Sequence, residues 1–571
     1  MSTRPAPRHH AFWPARLTKS VTIPEVTLFH NLQVTAARYP RKAATVFLGR
    51  SMSYGDLLAQ ALALGGWLAA HGVQAGDRVA LFMQNCPQFL VAFYGVQAAG
   101  GVVVPVNPMN RADEFGHYIT DPETRVVICA ADLVGVVQQA QAALAPEQRA
   151  AQVLVVRYDD ALPASLPEHL GVPQSLWQVL TAPAPEAPEV AGVQVVAWSQ
   201  ALLHQPLAQA VARSPDDLAL LPYTSGTTGL PKGCMHTHRT LMANVVGSFV
   251  ATSQDTTSLA VVPMFHITGM QYGVLMPVYS GTTLIVMPRW DRELAGRLIS
   301  VHKVTVWVCI PTMIIDLFGS PNYRQFDLSS LMVLAGGGAA MPQAVAQRLL
   351  DEFNLKFAEG YGLTETAAPS HSNPPDRPKL QCLGIPIFGV DSRIVDPQTL
   401  QELPQGESGE IVTHGPMVFK GYWKHPQATE QAFIELDGKR FFRTGDLGRI
   451  DEDGYFFITD RLKRMINASG FKVWPTEVEL LLYKCPLVLE ACIISAKDSY
   501  RGETVKAVVV PRPEAREQAT EQAVIDWARQ HMAAYKVPRM VSFVDRLPKS
   551  GSGKVMWRLL QEEENRANPG A

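Results

Sequence analysis

The sequence lacks several features that would point to an extracellular, membrane-bound or nucleic-acid-binding protein. Its seven cysteines are scattered singly and include no C-x-x-C pair, so we expect reduced thiols in a cytoplasmic protein rather than a disulfide framework. The net charge is −2 at pH 7, which provides no strong field for nucleic acid or an anionic membrane. The first twenty residues contain no apolar stretch typical of a secretory signal.

One apolar run, Phe89–Val106, is comparable in length with a membrane span, at about 18 residues. Gln97 and the pair Gly100-Gly101 interrupt it, and a β-branched stretch follows up to Pro105. This pattern predicts a buried helix, a glycine turn and a buried strand rather than a transmembrane helix.

Helical patterns alternate with short apolar runs over most of the 571 residues, a length that predicts at least two domains. We therefore predict an α/β protein whose large N-terminal domain contains mostly parallel sheets with packed helices. The predicted strands lie in segments 77–85, 124–131, 151–160 and 283–290, and a helix is predicted over 56–72.

The residue pattern changes from Cys382 onward. Short predicted strands and glycine turns dominate there and indicate a small barrel-like part. Segments 406–415 and 451–460 are predicted to form hairpins, the second with an Asp-Gly turn. Segment 161–190 is rich in alanine and proline and is predicted to be a surface loop. A small α+β domain is predicted at the C-terminal end.

The stretch "YTSGTTGLPKG", Tyr223–Gly233, has the glycines and hydroxyls of a phosphate-binding loop. It does not satisfy the Walker A pattern, since Pro231 stands where the second glycine should be and Gly233 follows Lys232. Because proline lacks an N–H and disfavours helical backbone before it, no helix is expected to begin at the lysine. The failed Walker A spacing excludes a P-loop hydrolase. We call residues 223–233 the strap.

Four further motifs follow the strap in order, and together the five resemble the adenylate-forming superfamily over about residues 26–560. That superfamily comprises acyl-CoA synthetases, adenylation domains of peptide synthetases and beetle luciferases. The other motifs are "YGLTET" at 361–366, "TGDLG" at 444–448, "DRLKRMINASGFKVWPTEVE" at 460–479 and "LPKSGSGKVMWR" at 547–558.

The resemblance implies a two-step reaction: a carboxylate attacks the α-phosphorus of ATP to give acyl-AMP and pyrophosphate, and a thiol then displaces AMP. It implies that Lys554 stabilises charge during adenylation and that Thr364 contacts the α-phosphate. Glu365 and Thr228 are the implied Mg²⁺ ligands, a role that suits oxygen donors. The implied domains are 1–459 for ATP and acyl binding, a hinge at 460–464 and a rotating domain at 465–571.

The resemblance also assigns contacts to the nucleotide and to coenzyme A. Tyr361 is implied to lie against adenine, Asp446 to accept hydrogen bonds from the ribose hydroxyls and Arg461 to support the same sugar. The remaining implied binding residues are Thr224, Ser225, Gly226, Thr227, Gly229, Lys232, Gly337, Gly338, Ala339, Glu359, Gly360, Gly362, Ile458, Lys463, Gly470, Phe471 and Lys472.

The acyl substrate is expected to be an uncharged acid. The resemblance places Pro263–Gly281 along the acyl pocket and His266 near the carboxylate end, and this segment contains no acidic residue to receive an amino group. A medium- or long-chain fatty acid is favoured, with an aryl or short branched acid as the alternative. Coenzyme A is the favoured acceptor, a separate carrier protein is the alternative, and a homodimer is compatible with the sequence.

The hinge assignment generates a prediction for Lys463→Pro. Since proline restricts the backbone rotation needed between the two steps, thioester formation should fall much further than adenylate formation. Separate assays of the two half-reactions check this, and an equal loss in both would contradict the hinge.

Overall fold

A computed structural model describes the chain over most of its length. The described residues are 8–11, 13–14, 17–165, 167–183, 189–224, 230–250, 255–338, 341–374, 376–461, 464, 466–468, 471–473, 475–498, 502–549 and 555–568.

Helices and strands alternate along most of the described chain. The helices are α1 Leu28–Arg38, α2 Tyr54–Ala70, α3 Pro87–Ala98, α4 Ala112–Thr120, α5 Val134–Ala143, α6 Gln174–Leu180, α7 Trp198–Leu202, α8 His238–Val250, α9 Ile267–Met270, α10 Met276–Ser280, α11 Arg292–His302, α12 Pro311–Phe318, α13 Gln343–Phe353, α14 Pro426–Gln431, α15 Pro475–Leu482, α16 Glu521–His531 and α17 Trp557–Ala567. The strands are β1 Ala43–Phe47, β2 Arg50–Ser53, β3 Arg78–Phe82, β4 Val102–Val106, β5 Thr124–Ala130, β6 Gln152–Val156, β7 Glu189–Val190, β8 Val193–Ala197, β9 Leu218–Leu220, β10 Tyr223–Thr224, β11 Lys232–Gly233, β12 His236–Thr237, β13 Thr257–Ala260, β14 Thr283–Val286, β15 Val306–Cys309, β16 Val333–Gly337, β17 Phe357–Leu363, β18 Ala368–Ser372, β19 Ile385–Pro386, β20 Asp391–Val395, β21 Gly409–His414, β22 Phe433–Leu436, β23 Lys439–Ile450, β24 Phe456–Arg461, β25 Ile466–Ala468, β26 Phe471–Val473, β27 Val488–Asp498, β28 Gly502–Pro511 and β29 Met540–Phe543.

Contacts between Cα atoms divide the chain into two compact units. The first comprises Met1–Asp391 with His414–Arg440, and the second comprises Ser392–Thr413 with Phe441–Ala571. This grouping differs from the expected boundary after residue 459, because segments 392–413 and 441–459 cluster with the C-terminal residues. The expected hinge at 460–464 concerns movement and stays a prediction.

Two large sheets of mostly parallel strands form the first unit. Their strand orders are β19-β18-β17-β16-β15-β13-β14-β1-β2 and β12-β9-β4-β3-β5-β6-β8-β7. The inner pairs, such as β16 with β17 and β3 with β5, are parallel, whereas the edge pairs β1–β2 and β18–β19 are antiparallel. The predicted α/β class with mostly parallel sheets is therefore confirmed.

Helix α3 lies in the core of the first unit and is buried along its whole length. Its apolar residues pack with those of α2, where Gly95 allows a close approach because an added Cβ would lie 2.7 Å from Leu64 Cδ2. Gly100, with φ of +75°, makes the turn into buried strand β4. The prediction of a helix, a glycine turn and a strand over residues 89–106 is confirmed.

No helix among the described residues is long and apolar enough to cross a membrane. The predicted strands of the first unit correspond to β3, β5, β6 and β14, and the predicted helix corresponds to α2. These elements could be predicted because continuous apolar runs are typical of strands covered on both faces.

Two sequence predictions are wrong. Segment 161–190 is not simply a surface loop, since it contains α6 and buries Leu170 and Val172 in the main core. Segment 406–415 is not a local hairpin, since β21 pairs antiparallel with the distant strand β23, with Gly409 opposite Gly448 and Thr413 opposite Phe442. In contrast, β23 and β24 form the predicted hairpin, and Gly454 has the positive φ of +85° that its turn requires.

The second unit contains its own core and sheets. Strands β25 to β28 are arranged in the order β26-β25-β28-β27, with β29 parallel to β28. Helices α15 and α16 contribute Val478, Leu482, Val524 and Ala528 to the core beneath this sheet. The predicted α+β composition of the C-terminal part is thereby confirmed.

The close approach of α2 to the chain at Gln205 generates a stability prediction. A Cβ added at Gly66 would lie 2.2 Å from the Gln205 carbonyl oxygen, so Gly66→Ala should destabilise the protein by about 1–3 kcal/mol. Gly135→Ala is the matched control, because Gly135 is an exposed helical glycine and no atom of the described residues lies within 4 Å of the added carbon. The control should be unchanged or stabilised by roughly 0.5–1 kcal/mol. Urea unfolding checks this, and equal midpoints for both variants would contradict it.

Candidate nucleotide site

The strap has an antiparallel stem formed by β10 and β11, in which Thr224 lies opposite Lys232. Lys232 therefore belongs to a strand, and the next helix, α8, begins only at His238. This confirms that no helix begins at the strap lysine. Residues 225–229, which include the predicted contacts Ser225, Gly226, Thr227, Thr228 and Gly229, lie outside the described residues.

The "YGLTET" motif begins on β17 and continues into a single 3₁₀ turn, Thr364–Thr366. His236 supports this turn, since its Nε2 lies 2.7 Å from the Thr364 carbonyl oxygen and donates to it. Burial lowers the pKa of His236 to about 4, so the ring is neutral at pH 7. The Nδ2 of Asn244 donates to the carbonyl oxygens of Thr366 and Ala367 at 2.9 and 2.7 Å.

Glu365 is 8% exposed and lies beside Tyr422. The Tyr422 hydroxyl donates to Glu365 Oε1 at 2.9 Å, and the Phe419 N–H donates to the Glu365 carbonyl oxygen at 2.9 Å. The Lys232 ammonium lies 5.6 Å from the centroid of the Tyr422 ring, which is within cation–π range. Burial and the charge of Glu365 raise the pKa of Tyr422 well above its usual value, so Tyr422 stays a donor.

The fit of Mg²⁺ to this cluster can be judged from its donors. Glu365 offers a buried carboxylate with one oxygen oriented by Tyr422, and Mg²⁺ prefers such hard oxygen ligands. Among the described residues no group of three histidine, cysteine, aspartate or glutamate side chains could hold a metal ion. A site with one carboxylate suits Mg²⁺ that is bound mainly through nucleotide phosphates and water.

The glycine loop that follows β16 owes its composition to the packing of neighbouring strands. An added Cβ would lie 1.7 Å from the Cys309 carbonyl oxygen at Gly336 and 2.3 Å from the Gly360 carbonyl oxygen at Gly337. Gly338 has φ of +83°, and no atom of the described residues lies within 4 Å of its added Cβ. The strand contacts thus require the first two glycines, and the positive φ favours glycine at Gly338. Ala339 lies outside the described residues.

Glu359 is a buried residue of β17 that is hydrogen-bonded to two loops. Its carboxylate accepts hydrogen bonds from the backbone N–H of Gln381 at 2.8 Å and of Met341 at 3.3 Å. Burial raises the pKa of Glu359 to about 7. Tyr361, two residues further along β17, is 9% exposed and has its ring 5.6 Å from that of His371. Both residues therefore have structural contacts of their own, and their predicted nucleotide contacts stay predictions.

In the second unit, the "TGDLG" motif lies on β23 at an irregular position of its pairing with β24. The Asp446 N–H donates to Thr444 Oγ1 at 3.1 Å, and Asp446 is 1% exposed. Gly445 has φ of +70°, and its N–H donates to Glu410 Oε1 at 3.1 Å. Arg443 pairs with the other oxygen of the buried Glu410 carboxylate at 2.6 Å. This local network fixes the backbone that carries Asp446.

Several predicted residues of the C-terminal part are described only in part or not at all. Arg461 lies opposite Asp446 in the β23–β24 register, and Ile458 lies opposite Gly448. Phe471 and Lys472 belong to β26, and their side chains and that of Arg461 are outside the described set. Lys463, Gly470 and Lys554 also lie outside it.

The predicted acyl segment contains α9, a π-helical turn over Gln271–Leu275, and α10. His266 precedes α9, is exposed, and accepts from the Met270 N–H through its carbonyl oxygen at 2.8 Å. Met264 and Met270 are fully buried in the main core. The Gln271 carboxamide is also fully buried and has no hydrogen-bond partner among the described residues.

Sequence reasoning missed three residues that support the site: Tyr422, His236 and Glu410. Two of them lie within features that could have drawn attention, namely "MHTH" at 235–238, one residue after the strap, and "KGYW" at 420–423. Nothing in the sequence connects them with Glu365, Thr364 and Gly445, because each partner lies at least 35 residues away.

Comparison with known proteins agrees with this arrangement. Residues 32–423 match the family model of the AMP-binding enzymes, and residues 477–554 match the C-terminal domain of AMP-binding enzymes. The chain is 34% identical over 563 residues to a long-chain-fatty-acid–CoA ligase of Bacillus subtilis, covering 97% of each chain. It is 35% identical to a feruloyl-CoA synthase of an Amycolatopsis species, covering 90% of this chain and 95% of the other.

The fold is also similar to solved structures. ATP-bound MatB from Rhodopseudomonas palustris superimposes with a TM-score of 0.81 at 29% identity, covering 95% of this chain and 99% of the other. The fold and the nucleotide-site motifs define a nucleotide-dependent, carboxylate-activating ligase. The chain belongs to the family of AMP-binding enzymes and is an AMP-forming acyl-CoA ligase, a class that uses ATP, Mg²⁺ and coenzyme A.

The hydrogen bond between Tyr422 and Glu365 generates a prediction about Mg²⁺. Tyr422→Phe removes the donor that orients the carboxylate, so the Mg²⁺ concentration for half-maximal ATP–pyrophosphate exchange should rise about 10-fold. Tyr323→Phe is the matched control, because the Tyr323 hydroxyl also donates to a glutamate, Glu352, at 3.1 Å. An unchanged Mg²⁺ dependence in Tyr422→Phe, or an equal change in the control, would refute this role.

Proposed function

We propose that this ligase activates a medium- or long-chain fatty acid and transfers the acyl group to coenzyme A. The observation that carries the proposal is the predicted acyl segment, Pro263–Gly281, which contains no aspartate, glutamate, lysine or arginine. Its methionines Met264 and Met270 are buried, and methionine adapts well to flexible apolar chains. Similarity to a long-chain-fatty-acid–CoA ligase over 97% of both chains supports the same substrate class.

In the first step, the fatty carboxylate oxygen attacks the α-phosphorus of ATP, the bond to the bridging oxygen breaks, and pyrophosphate leaves. The strap contacts the β- and γ-phosphates, Thr364 contacts the α-phosphate, and Lys554 compensates the charge that develops between the reacting groups. Glu365 and Thr228 would hold Mg²⁺, which would offset the negative charge of the phosphates. The proposed Mg²⁺ contact of Glu365 is supported by its carboxylate, which is buried and oriented by Tyr422. The proposed phosphate contact of the strap is supported by the β10–β11 stem, which includes Lys232.

Asp446 binds the ribose hydroxyls and Tyr361 lies against adenine, while His266 is close to the carboxylate end of the acyl group. Asp446 suits its role because the Glu410 network fixes its backbone. In the second step, the coenzyme A thiol loses its proton and its sulfur attacks the acyl carbonyl carbon, so that AMP leaves as the acyl–oxygen bond breaks. The segment with Gly470 lies along the thiol's approach.

A hydroxylated aryl acid is the second candidate substrate. The buried Gln271 carboxamide has no partner among the described residues, and an amide left in this state costs free energy that a substrate oxygen would recover. The indole N–H of Trp307 is likewise buried without a partner in the described part of the chain. The similarity to a protein named feruloyl-CoA synthase agrees with this candidate.

Two further assignments belong to the proposal. Coenzyme A is preferred to a carrier protein as acceptor, because the relatives described above are named for CoA products. A reducing compartment such as the cytoplasm suits the seven cysteines, which are all buried and form no disulfide.

An acid panel tests the substrate proposal. ATP–pyrophosphate exchange should be highest with fatty acids in the range from octanoate to oleate. The thioester product, acyl-CoA, should form only when coenzyme A is added. Gln271→Leu should leave the kcat/KM for fatty acids within about 2-fold, but it should lower that for ferulate about 10-fold if a phenolic oxygen uses the amide.

The outcomes separate the alternatives. Preference for ferulate over every fatty acid would replace the first candidate by the second, and exchange without acyl-CoA product would favour a carrier protein as acceptor. Absence of acid-dependent exchange would reject the proposal.

A further inference from the structure

The strap is tied to the end of helix α4 on both sides of its stem, through the Tyr223 side chain on one side and the Pro231 carbonyl oxygen on the other. We propose that His117 and Asp121 are positioning residues that hold the strap stem for binding the outer phosphates of ATP. This inference rests on the proposed function, since it assumes that the strap contacts those phosphates.

The first tie is made on β10. The Tyr223 hydroxyl donates to Asp121 Oδ2 at 2.5 Å, and burial together with Asp121 raises the pKa of Tyr223 well above its usual value. The hydroxyl therefore keeps its proton and donates to the carboxylate. The Tyr223 ring packs against the ring of Tyr118, with centroids 4.8 Å apart, which restricts its rotation.

The second tie is made beside β11. His117 Nε2 lies 2.7 Å from the Pro231 carbonyl oxygen and donates to it. The same imidazole contacts Tyr223 edge-on, with ring centroids 5.6 Å apart. His117 and Asp121 lie one turn apart at the end of α4. They therefore hold Pro231 and Tyr223, which lie on the two sides of the stem.

A third contact closes the network around Asp121. The Trp423 indole N–H donates to the Asp121 carbonyl oxygen at 3.1 Å, and the Trp423 backbone N–H donates to the Gly233 carbonyl oxygen at 2.8 Å. The Arg78 guanidinium lies 5.3 Å from the centroid of the Trp423 ring. Asp121 is thus joined to both strands of the stem, directly at Tyr223 and through Trp423 at Gly233, the residue paired with Tyr223.

The position of Asp121 is unfavourable for helix stability alone. It is the C-cap of α4, where the helix dipole disfavours a carboxylate. A negative side chain at this point is explained by its partner Tyr223 rather than by the helix. A stem fixed in advance lowers the ordering entropy lost on binding phosphate, so the ties should affect affinity for the polyphosphate and not for adenosine.

The experiment compares the affinities for ATP and AMP in the full-length enzyme. Tyr223→Phe and Asp121→Ala should each raise the KM for ATP in exchange assays about 10-fold, while kcat and the KM for the acid stay within about 2-fold. The Kd for AMP from calorimetry should not change. The double variant should be no worse than either single variant, because both remove the same hydrogen bond.

Conservative variants and a control separate positioning from general stability. Asp121→Asn keeps an oxygen acceptor for Tyr223 and should recover most of the ATP affinity. His117→Gln should bind ATP more tightly than His117→Leu, because glutamine keeps a donor for the Pro231 carbonyl oxygen. Tyr158→Phe is the matched control, since the Tyr158 hydroxyl is also buried and accepts from the Gln84 N–H at 3.0 Å. The control should lower the melting temperature to a similar extent without changing the KM for ATP.

Two results would overturn the inference. One is an equal loss of ATP and AMP affinity in Tyr223→Phe and Asp121→Ala, and the other is a KM for ATP within about 2-fold of the unmodified enzyme. If the unmodified enzyme shows acid-dependent exchange, either result rejects the positioning role of these residues but leaves the proposed function standing. If the unmodified enzyme shows no such exchange, the proposed function itself fails.

Discussion

The pairing of β16 with β17 is the constraint on which the candidate nucleotide site of the first unit depends. These parallel strands place the glycine loop and the "YGLTET" turn side by side at their carboxyl ends, where ligands of α/β sheets commonly bind. Gly337 permits this pairing, because a Cβ there would collide with the Gly360 carbonyl oxygen of β17, and Gly336 likewise permits the pairing of β16 with β15, where a Cβ would collide with the Cys309 carbonyl oxygen. The glycines are therefore needed by the fold before any nucleotide is considered.

Neutral hydrogen-bond donors orient the Glu365 carboxylate and the turn that carries it. Glu365 is held by the Tyr422 hydroxyl, and the turn that contains it is held by a His236 ring that burial keeps neutral. A lysine salt bridge in place of Tyr422 would neutralise the carboxylate that we propose as a Mg²⁺ ligand. Lys232, on the second strand of the strap, instead has its ammonium 5.6 Å from the centroid of the Tyr422 ring.

Much of the fold followed from local patterns. Continuous apolar runs predicted β3, β5, β6 and β14, and the interrupted run at 89–106 predicted α3, a turn and β4. The wrong predictions came where composition was a poor guide to long-range packing. Proline and alanine in 161–190 suggested a loop, yet α6 forms there and Leu170 is buried, while β21 finds its partner far along the chain.

The sequence by itself determined the motifs, their order and the failure of the Walker A spacing, because these depend only on residue identity and on the local restrictions of proline and glycine. It also determined the α/β class, because apolar periodicity is a property of neighbouring residues. Only the tertiary structure decided that Tyr422 orients Glu365, that His236 supports Thr364 and that α4 ties the strap through Asp121 and His117. These contacts join residues 57 to 128 positions apart, and no local pattern encodes which distant side chain the packing will bring within hydrogen-bond distance.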